Sequence, residues 1–152
     1  MQIPGYTIEK ELGRGGMATV YLALQENLDR HVAIKVMSPA LLADPSFSSR
    51  FLREAKIVAQ LSHPHIIPIY DVSTDENRCY ITMEYQPGGE LNPKIKSGLT
   101  AEETVAIISE IATALNFAHD KGYVHRDVKP ANILFNDHGR SILSDFGVAR
   151  QF

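Results

Sequence analysis

Apolar and polar residues alternate along much of the first half of the chain, and a period of two predicts short strands. Tyr6-Thr7-Ile8-Glu9-Lys10-Glu11-Leu12 reads as a strand running into Gly13-Arg14-Gly15-Gly16-Met17-Ala18, and Thr19-Val20-Tyr21-Leu22-Ala23 reads as the next. In His31 to Met37, Ala33, Lys35 and Met37 share one face while Val32, Ile34 and Val36 share the other. Ile66 to Val72 and Arg78 to Tyr85 complete a set of five strands, the last two joined by the polar turn Ser73 to Asn77. Between the third and fourth strands the period lengthens. Asp44-Pro45 suits a cap and first helical residue, and Phe51, Ala55, Val58 and Leu61 then recur at three and four residues, as on one face of a helix. The expected first unit is a meander-like five-stranded sheet with one main helix packed against it.

Gln86-Pro87-Gly88-Gly89 interrupts both periods and marks the clearest internal boundary. The expected organisation is therefore 1–85, a linker over 86–90, and 91–152, with an α+β fold class. Thr100-Ala101-Glu102-Glu103 matches a capping box and opens a long helix to about Lys121-Gly122. Val105, Ile108, Ala112 and Leu115 are its expected buried stripe, and Gly122 its expected C-cap. Ile133-Leu134-Phe135 and Ser141-Ile142-Leu143 then predict a small hairpin about Asn136 to Gly139.

Composition narrows the function classes only a little. Fifteen basic and eighteen acidic residues give a formal charge of −3, which does not advertise nucleic acid. The single cysteine, Cys79, excludes an internal disulfide and a cysteine-based metal site, and its strand setting suits a small buried thiol. The first residues carry neither a basic stretch nor an apolar run, so no signal peptide is expected. No stretch approaches eighteen consecutive apolar residues, so this segment is expected to make no membrane contact and to be cytoplasmic.

The polar chemistry concentrates in His125-Arg126-Asp127-Val128-Lys129-Pro130-Ala131-Asn132-Ile133-Leu134 and in Ser144-Asp145-Phe146-Gly147. Asp127 can meet a substrate hydroxyl, Lys129 can clamp anionic oxygens, and Asn132 with Asp145 can hold a hard cation. Taken singly, Asp127 and Asn132 also suit turn-forming roles. The glycine-rich turn before Thr19 suits a phosphate lid, because its backbone can approach a ligand closely and aim N–H groups at it. By itself it also suits a plain flexible hairpin. A strand rather than a helix follows the glycines, which excludes the dinucleotide fingerprint, and no Gly-Lys-Ser/Thr run is present. Lys35 lies among apolar neighbours, and Glu54 falls on or beside the buried side of the first helix. The two make an expected ion pair, although Glu54 also suits a solvent-facing position. His63 and His65 read as local hydrogen-bonders in a turn, since no further metal ligands occur at suitable spacing.

These residues together resemble the eukaryotic-type serine/threonine protein kinase family in its bacterial form. The match includes Gly13-x-Gly15-x-x-Ala18-x-Val20, Val32-Ala33-Ile34-Lys35, Glu54, His125-Arg126-Asp127-x-Lys129-x-x-Asn132 and Asp145-Phe146-Gly147, and it spans the chain. The resemblance implies a protein-kinase-like fold with a complete five-stranded N-lobe and a partial, mainly helical C-lobe, the domain being truncated just after Asp-Phe-Gly. It implies transfer of a phosphoryl group from ATP with Mg²⁺, or Mn²⁺ instead, to a serine or threonine of a protein substrate. By it Gly13, Arg14, Gly15, Gly16, Met17 and Ala18 cover the phosphates, Leu12 belongs to the nucleotide site beside them, and Lys35, oriented by Glu54, holds the phosphates. Val20, Ala33 and Leu134 sandwich adenine, Met83 is the gatekeeper, Glu84, Tyr85 and Gln86 form the hinge, and Glu90 reaches the ribose. Asp127 and Lys129 serve the reacting groups, while Asn132 and Asp145 hold the metal. Ala18 stands where the family pattern has a third glycine, a mild departure. With no activation segment after Phe152, the chain alone is expected to be inactive and to expose C-lobe surface suited to self-association. The alternative is a nucleotide-binding or protein-interaction module without catalysis.

Overall fold

A computed structural model describes residues 1–74 and 77–146. Gly147, the last residue of the Asp-Phe-Gly motif, lies outside the described residues, as do Asp75 and Glu76 of the expected turn. The chain divides into two compact units. Met1–Gln60 with Pro68–Tyr85 make the first, and Leu61–Ile67 with the described residues from Gln86 onward make the second.

The first unit is a five-stranded antiparallel sheet of β1 (Tyr6–Arg14), β2 (Ala18–Gln25), β3 (Arg30–Met37), β4 (Ile69–Thr74) and β5 (Cys79–Glu84). Its spatial order is β1-β2-β3-β5-β4, so the expected meander is corrected: β5 pairs with β3, and β4 is left at the edge. Strand alternation holds as the residue pattern requires. Val20 lies opposite Lys35, Lys35 opposite Ile81, and Ala33 between Leu22 and Met83, which puts all of them on one face. The other face carries Ala23, Val32, Ile34, Val36 and Tyr80 in an apolar cluster closed by Ile3 from the N-terminal segment. Two bulges bend β1, between Ile8 and Lys10 and between Glu11 and Gly13.

Helix α1 (Phe47–Ala59) buries Phe47, Phe51, Ala55 and Val58, the spacing expected of it. Its start differs from the sequence reading. Pro39–Ala43 forms a 3₁₀ turn, and Asp44 stays outside α1 because its carboxylate bonds locally, accepting from the Ser46 N–H at 3.0 Å and hydroxyl at 2.8 Å. Ser48 Oγ lies 3.5 Å from Cys79 Sγ, so α1 packs on the sheet face shared with Lys35. The predicted fourth strand also begins later than expected. Ile66 and Ile67 go with the second unit, where Ile66 bridges Leu143 and the Ile67 N–H reaches the Leu143 carbonyl at 3.0 Å.

The second unit contains α2 (Leu91–Ser97), α3 (Ala101–Asp120) and the hairpin β6 (Ile133–Phe135) with β7 (Ser141–Leu143). The capping box is present at both ends of its bond pair: Glu103 N–H to Thr100 Oγ1 at 3.0 Å and Thr100 N–H to Glu103 Oε1 at 3.2 Å. At the other end Gly122 takes φ 83, its N–H reaches His119 at 2.9 Å, and the Tyr123 N–H reaches Ala118 at 2.9 Å. That is a Schellman closure, which a residue with a Cβ would strain. The expected buried stripe is corrected. Val105 and Ile108 are 64% and 63% exposed and Ala112 is exposed, while Ile111, Ala114 and Ala118 are buried. Among the described residues no helix is long and apolar enough to cross a membrane.

One polar network ties three segments of this unit together. Glu110 on α3 accepts from Arg140 Nη1 at 3.0 Å, Ser141 Oγ at 2.8 Å and the Ser141 N–H at 3.3 Å, with His65 Nε2 at 3.8 Å. His65 Nδ1 in turn donates to the Ser141 carbonyl at 2.7 Å, so this histidine reaches beyond its own turn to β7. Burial acts to raise the Glu110 pKa, but the bonds from Arg140 and Ser141 together outweigh it and hold the carboxyl below its ordinary range. A carboxyl depressed on folding adds stability above its unfolded pKa and loses it as pH falls through the folded one. Glu110→Gln is therefore expected to cost roughly 2 kcal/mol at neutral pH. The gap from the parent should narrow below about pH 4.3, where free glutamate takes up its proton. Urea unfolding across pH, followed by circular dichroism, measures both; a gap constant down to pH 3 would refute the assignment.

Candidate functional site

In the second unit the His125–Asn132 loop is built around a buried imidazole. His125, 1% exposed, spans two backbone groups: Nε2 donates to the Ser144 carbonyl at 2.7 Å, and Nδ1 accepts from the Asp127 N–H at 3.0 Å. Those partners require the neutral ring with its proton on Nε2. The same ring lies 4.6 Å from the Phe146 ring, so His125 joins the Asp127 loop to the Asp145 segment.

Asn132 makes the second link. It is buried at the end of the 3₁₀ turn Pro130–Asn132, where its Nδ2 donates to the Asp127 carbonyl at 2.9 Å and to Asp127 Oδ2 at 3.1 Å. Lys129 Nζ stands 3.7 Å from that same oxygen, with its side chain 53% exposed. The Asn132 carbonyl accepts from the Ser144 N–H at 2.9 Å and from the Ser144 hydroxyl at 3.1 Å. Asp127, Lys129 and Asn132 thus belong to one assembly that is bonded to Ser144, the residue before Asp145. Two residues in these segments are strained: Arg126 at φ 73 and Asp145 at φ 55 occupy left-handed backbone without being glycine, at a cost of about 1–2 kcal/mol each.

The linker is stitched to β6 next to this assembly. The Gly88 N–H reaches the Phe135 carbonyl at 2.8 Å, the Phe135 N–H reaches the Gly89 carbonyl at 2.9 Å, and Glu90 forms an isolated bridge with Leu134. Glu90 and Leu134, assigned by resemblance to ribose and adenine, are therefore backbone partners. Gln86 is 6% exposed, and neither atom of its side-chain amide has a hydrogen-bond partner among the described residues.

In the first unit the glycine-rich turn is narrow. β1 runs on through Gly13 and Arg14, and the Gly15 N–H reaches the Ala18 carbonyl at 2.9 Å, closing the turn over Gly16 and Met17. Leu12 is exposed, and Arg14 pairs with Glu11 at 2.6 Å. Val20, Ala33, Lys35 and Met83 share the sheet face already described, with Glu84 and Tyr85 closing β5 and the unit. Lys35 and Glu54 are both half-buried and both have polar or electrostatic partners.

Sequence reasoning did not find Tyr123, whose hydroxyl donates to the Phe146 carbonyl at 2.5 Å. It did not find the bridging role of Ser144 either. A tyrosine two residues before His125 was the available signal for the first; nothing local marks the second. Among the described residues no group of three or more His, Cys, Asp or Glu side chains is placed to hold a metal.

The protein kinase domain family model matches residues 6–152. The serine/threonine-protein kinase PknJ of Mycobacterium tuberculosis is 42% identical over 151 residues, covering 96% of this chain and 26% of PknJ. The probable serine/threonine-protein kinase CA_C1728 of Clostridium acetobutylicum is 44% identical over 147 residues, covering 95% of this chain and 22% of its own length. Among solved structures, the Mycobacterium tuberculosis PknI kinase domain superposes with a TM-score of 0.85 at 36% identity, covering 99% of this chain and 63% of that one. The chain thus spans about a quarter of the length of these curated relatives.

Proposed function

Because the chain belongs to the protein kinase domain family, of the bacterial serine/threonine type, we propose that it binds ATP with a divalent cation and supplies the groups for phosphoryl transfer to a serine or threonine hydroxyl of a protein. The observation that supports this most is the bonding of Asp127 and Asn132 to each other, and of Asn132 to the residue before Asp145. Phosphoryl transfer asks the protein for positioning and electrostatics more than for covalent chemistry, and a bonded assembly supplies positioning.

The donor set fits the cation. Both Asn132 bonds to Asp127 use its amide nitrogen, which leaves the amide oxygen as an acceptor, and Asp145 adds a carboxylate. Mg²⁺ is bound in this way, by one or two protein oxygens with phosphates and waters completing the shell. When bound, Mg²⁺, or Mn²⁺ in its place, neutralises charge on the phosphate oxygens. The residues also fit the nucleotide. The turn over Gly16 and Met17, closed by the Gly15 N–H on the Ala18 carbonyl, suits close backbone approach to phosphate.

Within this reading Asp127 orients the substrate hydroxyl and accepts its proton, its Oδ2 being held by Asn132 and neighboured by Lys129. Lys35 holds phosphate oxygens from the sheet, and Glu54 orients Lys35. Calorimetric titration with ATP at saturating MgCl₂ tests the reading. The chain is expected to bind, Asp145→Asn to weaken binding by tenfold or more, and Lys35→Met to do the same. Absence of any Mg²⁺-ATP affinity in the parent chain would sink the proposal. Binding without any phosphoryl transfer to protein substrates would favour the non-catalytic module.

A further inference from the structure

Asp145 is bracketed by bonds on both sides, and the two brackets have different origins. On its N-terminal side the Ser144 N–H and hydroxyl both reach the Asn132 carbonyl, and the Ser144 carbonyl accepts from His125. On its C-terminal side Phe146 is 1% exposed, its ring lies 5.6 Å from the Tyr123 ring, and its carbonyl accepts from Tyr123 Oη at 2.5 Å. Tyr123 is itself fixed. Its N–H is bonded to Ala118 in the Schellman closure of α3, so the hydroxyl connects the end of a twenty-residue helix to the carbonyl of the residue that follows Asp145.

The strained conformation of Asp145 makes that connection consequential. At φ 55 a non-glycine residue holds its backbone against an intrinsic preference, and it stays there only if its neighbours are held. We propose that Tyr123 is a positioning residue for Asp145: its hydroxyl fixes the Phe146 carbonyl and thereby holds the residue next to Asp145, aiming the Asp145 carboxylate at a divalent cation. The inference rests on the nucleotide and cation reading given above. Phenylalanine at this position keeps the ring against Phe146 and removes the hydroxyl, so the substitution separates aim from packing.

The parent chain and Tyr123→Phe are titrated with ATP in the absence of metal and at a series of MgCl₂ concentrations, with binding heat as the readout. Without metal the two are expected to agree within twofold. With Mg²⁺ the variant is expected to bind roughly fivefold more weakly, the equivalent of one ordinary hydrogen bond, and to need correspondingly more Mg²⁺. Amide hydrogen exchange at Phe146, measured without any ligand, is expected to speed up in the variant while the middle of α3 exchanges unchanged. An equal response to Mg²⁺ in the two proteins overturns the inference. So does a loss of the same size with and without metal, which would mark a merely structural role. A parent chain with no metal-dependent ATP binding overturns instead the reading of the site, and this inference with it.

Discussion

Gly88→Ala is expected to destabilise the second unit by about 3 kcal/mol, the combined effect of overpacking and of lost backbone bonds. A Cβ at residue 88 would lie 2.7 Å from both the Cβ and the carbonyl oxygen of Phe135 and 3.0 Å from its carbonyl carbon. Carbon atoms in contact sit near 3.5–4.0 Å, so the two segments must separate by a large part of an ångström. No rotamer change relieves the clash, because most of what it meets is backbone. Separation would strain the Gly88–Phe135 and Phe135–Gly89 hydrogen bonds together and disturb the Glu90–Leu134 bridge beside them. Gly89→Ala is the control. That residue has φ 74 but open space around its Cβ position, so only conformational strain of about 1 kcal/mol is expected there. Urea unfolding followed by circular dichroism ranks the two, and a Gly88 variant as stable as the Gly89 variant would contradict the close approach.

His125→Ala should have an effect of similar size for a different reason. Removing a fully buried ring opens a cavity beside Phe146, and it leaves the Ser144 carbonyl and the Asp127 N–H without their partner in the interior. Cavity and unpaired polar groups together are expected to cost about 4 kcal/mol. His125→Leu keeps most of the volume and still removes both bonds, so about half of that loss should remain. Both variants should also lose Mg²⁺-dependent ATP affinity, because His125 is one of the two links, with Asn132, that hold Asp127 and the Asp145 segment in one assembly. A leucine variant with parental stability and parental affinity would show that the imidazole bridge is dispensable.

Features with short-range causes could be read directly from the residues. The face shared by Val20, Ala33 and Lys35 follows from a period of two, and the start of α3 follows from Thr100 and Glu103 bonding across three residues. Features decided by distant partners could not. α3 is apolar on more than one side, with Val105 and Ile108 on one stripe and Ile111, Ala114 and Ala118 on another, and periodicity alone does not say which one is covered. Strand order was hidden for the same reason, since nothing in β4 or β5 alone says that β5 sits beside β3.

The candidate site divides along the same line. Asp127, Lys129, Asn132 and Asp145 stood out as residue types in a compact motif. Their mutual support runs through the His125–Ser144 bond across nineteen residues and the Tyr123–Phe146 bond across twenty-three. Neither bond has a local signature. The strained φ angles at Arg126 and Asp145 likewise depend on what holds the flanking peptides, and the chain carries no glycine there to announce them.

The chain's one sulfhydryl gives the first unit its own clock. Cys79 is 0% exposed on β5, against Ser48 of α1, so a disulfide dye can reach it only when helix and sheet part. Labelling therefore proceeds one event per molecule, at a rate set by opening of the first unit. Substitutions at Gly88, Glu110 or Tyr123 that act within the second unit alone should leave that rate at its parental value.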